Sequence, residues 1–171
     1  MDMSDDWSWA PTPSDSPSAS PSASPSVSPS FEPPCKVFLG GTCNGSTWRD
    51  ELIPLLEIDY FDPVVSDWNE TAYQRELQER ETCGICLYVI SPEMTGVYSI
   101  AEVVDDSNKR PHKTVFYFTD GFDDKQTKSL EAVGKMVLRN GGCWRDGTIQ
   151  ELAEFLNDFC YYQEKFLKDF C

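Results

Sequence analysis

The sequence predicts an α/β fold: a doubly wound parallel sheet of about five strands with helices on both faces, preceded by a disordered Ser/Pro-rich tail. Three observations predict it. Apolar runs of β-forming residues alternate along the chain with longer polar segments of helical character. One of those runs, ICLYVIS at 85–91, is apolar almost without interruption, as in a strand buried on both faces. The composition also changes sharply near residue 34, which separates the tail from the domain.

Residues 1–34 contain no Lys or Arg, and 16–30 repeat with period four as SPSA, SPSA, SPSV, SPS. Such a segment has too little apolar surface to offset its ordering entropy, and its prolines favour extended backbone. It reads as a spacer. Its tip, with Trp7 and Trp9 among Asp2, Asp5 and Asp6, reads as either a docking peptide for a protein or a solubilising end.

The domain reads from 35 to 171. KVFLG (36–40) is the first strand and runs into Gly-Gly. Trp48–Glu57 is a helix whose regularity Pro54 limits. YFDPVV (60–65) is extended, and Asn69 is an N-cap for a polar helix over 70–82. After the strand at 85–91 a helix runs from about Val97 to Asn108, followed by the strand KTVFYFT (113–119). Lys125–Arg139 is helical, with Asn140-Gly141-Gly142 as its stop. Cys143-Trp144-Arg145 is a short last strand, and Asp146 or Thr148 caps a final helix ending near Phe170. Right-handed crossovers then give a flavodoxin-like strand order, 2-1-3-4-5. Ligands of such sheets bind outside the carboxyl ends of the strands, at the switch point between strands 1 and 3.

With 14 Lys+Arg against 29 Asp+Glu the net charge is -15, a field that repels nucleic-acid polymers but allows a small nucleoside or nucleotide. No apolar run is long enough to span a membrane, and the first residues lack the basic and apolar regions of a secretory signal. Seven scattered cysteines, an odd number, read as reduced thiols in a cytoplasmic setting. Cys83-Gly84-Ile85-Cys86 closes a helix and enters a strand, the reverse of a redox CxxC, so these read as buried structural thiols. With His112 as the single histidine, neither a zinc site nor a Ser-His or Cys-His hydrolase is expected, and no metal or cofactor is assigned. A flavin mononucleotide site is a weaker reading, because the loop after the first strand lacks a Ser/Thr-rich phosphate cradle.

Gly40-Gly41-Thr42-Cys43-Asn44-Gly45-Ser46 follows the first strand, and its glycines allow either close backbone approach to a ligand or a tight structural turn. Glu102 lies in the first turns of the helix after the third strand. There the positive end of the helix dipole favours an ionised carboxylate, the form a glycosyl-transferring nucleophile needs. A solvated helix Glu in a very acidic chain is the plainer alternative. Glu70, Glu76, Glu79 and Glu81 form an acidic helix, one member of which could reach the mouth of the sheet as a general acid.

VFLGGTCNGSTWRDELIP, YFDPVVSDWNE and ETCGICLYVISPEMTGVYSIAEVVDDSNKRPHKTVFYF, in this order over roughly 36–118, resemble the nucleoside 2-deoxyribosyltransferase-like proteins. The resemblance implies a flavodoxin-like fold, cleavage or transfer at the N-glycosidic bond of a 2'-deoxynucleoside or deoxynucleotide, and a homo-oligomer. It implies that Glu102 is the nucleophile, forming a glycosyl-enzyme intermediate, though its spacing from Gly96 differs from the family's. Glu76 falls where the family has an Asp, and is the candidate proton donor beside Asp67. Phe38 is implied to line the base pocket, and the loop Gly40–Ser46 to contact base or sugar. The candidate substrate-binding residues are Phe38, Gly40, Gly41, Thr42, Asn44, Asp67, Asn69, Met94, Gly96 and Ser99. A clear basic clamp for phosphate is lacking, although Arg49 and Lys109 could serve, which leans towards nucleosides. The competing expectation is a non-catalytic nucleotide-binding or assembly module, tethered by the tail to a virion or scaffold.

Overall fold

The computed structural model describes residues 35–170, with side chains as far as Cys160. The spacer expected over 1–34 lies outside the described residues.

Five strands form one parallel sheet in the order β2-β1-β3-β4-β5. β1 (Lys36–Gly41) lies between β2 (Asp59–Phe61) and β3 (Ile85–Ile90). β4 (Thr114–Phe118) follows β3, and β5 (Cys143–Trp144) forms the far edge. The flavodoxin-like order is thus present, and central β3 has six buried residues in a row, as its unbroken apolar run requires.

Local chemistry sets the element ends. α1 (Trp48–Leu52) stops short of the expected Glu57 and tightens into a 3-10 turn, Ile53–Leu55. The cause is Pro54, which has no N–H to donate and whose ring crowds the preceding turn. β2 is likewise shorter than the expected 60–65: the ladder ends at Phe61, two residues before Pro63. α2 (Glu70–Thr82) starts at Asn69, whose Oδ1 accepts from the N–H of Thr71 and Ala72 at 3.0 and 3.1 Å. α3 spans Tyr98–Lys109. α4 (Asp124–Arg139) opens with a reciprocal capping box between Asp123 and Gln126. Gly134 in α4 leaves room for the Trp144 ring, since a Cβ there would sit 2.3 Å from Trp144 Cδ2. α5 (Ile149–Phe170) begins after Thr148, which exchanges hydrogen bonds with Glu151.

The helices divide between the two faces. α1 and α5 cover the face of Val37, Leu39, Leu87 and Val89 with Trp48, Leu52, Leu152 and Leu156. α3 and α4 cover Phe38, Tyr88 and Phe116 with Val103, Leu130 and Val137. Buried Arg80 of α2 bonds to α3, so α2 lies beside α3. No described helix is long and apolar enough to cross a membrane.

The expectation of reduced thiols is corrected at two positions. α5 returns across the first face and brings Cys160 to Cys35, with a Cα–Cα distance of 5.5 Å, and the two form a disulfide across 125 residues of sequence. Cys43, Cys83, Cys86 and Cys143 are free thiols. Cys83 and Cys86 are buried, and burial pushes each thiol up to about 12, which makes them poor redox groups.

Candidate active site

The chain turns at Gly41 from β1 toward α1, while the segment after β3 turns the other way toward α3. The two segments are laced across this switch point. Thr42 N–H donates to Val89 O at 2.9 Å, and Ser91 N–H donates to Thr42 Oγ1 at 3.0 Å. Ser46 and Ser91 share a hydroxyl bond of 2.8 Å. Asn44 Nδ2 donates to Thr95 Oγ1 at 2.5 Å, and Ser99 Oγ donates to Gly41 O at 3.1 Å. Gly41 has φ +121°, and a Cβ on it would lie 1.9 Å from Val89 O. Gly41, Thr42, Asn44 and Ser99 therefore build the floor of the switch point.

Arg49 reinforces this floor. Its Nη1 donates to Thr42 O and its Nη2 to Leu39 O, both at 2.7 Å, and its Nε lies 3.1 Å from Asp62 Oδ1. A guanidinium so committed and buried is not a free phosphate clamp. Lys109 stands at the opposite, amino edge of the sheet, paired with Asp105. The expectation for both cations is corrected accordingly.

Other predicted residues take separate places. Phe38 is sealed in the core with Phe61 and Tyr88, each at a ring-centroid distance of 6.0 Å. Its ring and that of Tyr88 fill the space above Gly40, where a Cβ would meet them at 2.7 and 2.8 Å. Met94 is half-buried against the same cluster, and Gly96 is exposed with open space around it. Asp67 and Asn69 lie together in the exposed loop before α2, with Asn69 Nδ2 3.3 Å from Asp67 Oδ2.

Glu76 and Glu102 face each other where α2 passes α3. Glu102 is 6 % exposed. Burial pushes its carboxyl up to about 8; the Arg80 guanidinium opposes the rise, and Glu76 adds to it through charge and hydrogen bonding. At neutral pH Glu102 is therefore held largely in its neutral form, facing the Glu76 side chain.

The residues around the pair were not anticipated. Arg80 donates from Nη1 to Glu102 Oε1 at 2.9 Å. Its Nε and Nη2 donate to the two oxygens of Asp106 at 3.2 and 2.7 Å. The Asp106 carboxylate, fully buried, also accepts from the Tyr88 hydroxyl and from Arg110. At the surface, Tyr98 neighbours Tyr73, and the exposed Trp68 ring lies 5.6 Å from that of Tyr73. Burial lifts the Tyr98 hydroxyl to about 12. The sequence does carry one signal for the buried part: Glu76 and Arg80, and Glu102 and Asp106, are two i,i+4 pairs whose helical faces meet.

An open parallel sheet with a pair of facing carboxyls, one buried and raised above its ordinary range, on the helices beside it defines a class of α/β proteins suited to acid–base and nucleophilic chemistry on a small ligand. The sequence profile described as nucleoside 2-deoxyribosyltransferase like matches residues 34–122, just over half of the chain, and the chain belongs to that family. Searches of curated proteins and of solved structures return no match.

Proposed function

We propose that this chain cleaves or transfers the N-glycosidic bond of a 2'-deoxynucleoside or deoxynucleotide, with Glu102 as nucleophile and Glu76 as proton donor. The observation that carries the reading is the Glu76–Glu102 pair, a buried carboxyl raised above its ordinary range with a second carboxyl facing it, in a chain of this family. A Glu102 carboxylate oxygen bonds to C1' as the C1'–N bond breaks, and the electron pair leaves with the base. As Glu102 attacks, its proton passes to Glu76 and from Glu76 to a nitrogen of the departing base, which would otherwise leave as a poor anion. The resulting ester is opened at C1' by a second base or by water. Oxocarbenium character in both transition states is stabilised by the remaining carboxylate charge. Trp68, Tyr73 and Tyr98 supply flat aromatic faces beside the pair for a nucleobase. The Cys35–Cys160 disulfide favours an oxidising setting, the virion-associated location included, over a reducing cytoplasm.

The test is a chromatographic assay of the full chain with each 2'-deoxynucleoside and its monophosphate, with and without an excess of a second free base. A new deoxynucleoside marks a transferase; free base with deoxyribose marks a hydrolase. Glu102→Ala is expected to abolish either product, by at least about 10³-fold in kcat, while remaining folded by circular dichroism. Ligand-induced stabilisation without turnover in the wild type would favour the binding or assembly module instead.

A further inference from the structure

We propose that Arg80 is a positioning residue for the acid pair: gripped by Asp106, it holds Glu102 by Oε1 and leaves Oε2 to act on the substrate. The inference rests on the reading of Glu102 given above. Rigidity passes from the sheet to Glu102 along a chain of contacts. Tyr88 belongs to β3, the central strand, and is fully buried. Its hydroxyl donates to Asp106, so that carboxylate is referenced to the sheet. Asp106 takes two N–H groups of Arg80, from Nε and Nη2, at 3.2 and 2.7 Å. A guanidinium is planar, so two bonds on one edge fix its plane, and the direction of the remaining Nη1–H follows. That N–H meets Glu102 Oε1 at 2.9 Å.

The charge count supports the same assignment. Arg80 already has carboxylate partners without Glu102: Asp106, which takes two of its bonds, and Asp105, 3.7 Å from Nη2. A second buried carboxylate adds desolvation cost that a purely stabilising ion pair has no need to incur. Glu102 also differs from Asp106 in what else it meets: its other neighbour is Glu76, the proposed acid, whereas Asp106 is saturated by Arg80, Tyr88 and Arg110. The groups facing Glu102 are Glu76 and Arg80 from α2, with Asp106 and Tyr98 from α3.

The experiment combines kinetics with a direct titration of Glu102. The full chain is labelled with [13C]-carboxyl glutamate, the Glu102 resonance is assigned by its loss in Glu102→Gln, and its midpoint is followed in wild type, Arg80→Lys and Arg80→Met. Arg80→Lys keeps the charge and loses the fork. It is expected to lower kcat about 10²-fold, as misplacement of a reacting group does, with KM nearly unchanged and the midpoint within half a pH unit of wild type. Arg80→Met removes the opposing charge and is expected to raise the midpoint by about one unit or more. Should Arg80→Met fail to fold, because Asp106 is left buried with fewer partners, Tyr88→Phe loosens Asp106 while keeping the Arg80–Glu102 contact. It is expected to lower kcat with the midpoint nearly fixed. A folded Arg80→Lys with wild-type kcat overturns the proposal. A wild-type chain without turnover on any nucleoside overturns the functional reading instead. The midpoint in Arg80→Met, independent of turnover, then decides whether Arg80 governs Glu102, and an unmoved midpoint overturns that as well.

Discussion

Glu102 sits in the second turn of α3, close enough to the helix start to feel its dipole. That effect is worth about 1 kcal/mol or less on a surface helix, and it favours the ionised carboxyl. Burial acts in the opposite direction and prevails: the carboxyl rises from 4.5 to about 8, and each unit corresponds to about 1.4 kcal/mol. The position of Glu102 was legible from the sequence, but its protonation was not. The ion pair and neighbouring carboxyl that govern it come from α2, 22 and 26 residues away. Two pH dependences follow. Turnover should fall as pH rises through about 8, where Glu102 loses the proton that the proposed relay passes to the departing base; a rate profile flat to about pH 10 would overturn that relay. Stability should show the same group. The folded chain binds this proton more tightly than the unfolded one, so the contribution is complete below pH 4.5 and is lost as pH rises to about 8. Urea titrations of wild type against Glu102→Gln should converge or cross over that interval, and parallel curves would refute the shift.

Elements were read most clearly where one physical cause dominates. β3 was legible because a strand covered on both faces has no polar positions, and α2 because Asn69 is a strong cap. α1 and β2 were read too long for the same reason: a proline's cost depends on the backbone bonds around it, which an amino-acid pattern does not show. At Pro54 it converted the helix end to a 3-10 turn, and before Pro63 it ended the ladder. The Gly-Gly at the end of β1 is compatible, by sequence alone, with either ligand contact or a turn. Gly41 resolves toward the backbone packing that lets β1 and β3 continue side by side. Gly41→Ala should cost about 3 kcal/mol or more, from positive φ and contact with Val89 O together. Gly45→Ala, with positive φ but open space, should cost only about 1–2 kcal/mol. Equal urea midpoints for the two variants would show that the switch point can relax.

Across the whole molecule, strand order was accessible because handedness and short connections leave few arrangements of alternating strands and helices. The Cys35–Cys160 pairing was not, since scattered cysteines in a chain with an ample core carry no sign of which two approach. Reduction should lower stability by about 2–5 kcal/mol, given the long loop closed. Calorimetry with and without a strong reductant, alongside Cys35→Ser, measures it. A melting temperature indifferent to both would mean that the bond does not form in solution.

That same bond joins the segment just before β1 to α5, at the edge of the sheet opposite Glu76 and Glu102. The start of the described domain at Cys35 and the last turns of α5 after Cys160 therefore attach beside one covalent junction. A pull applied between the two flanking segments runs through the sulfur–sulfur link and bypasses the 125-residue span between the cysteines. The oxidised domain is mechanically shunted: it can be tethered or dragged by either end while the sheet and the acid pair carry no load.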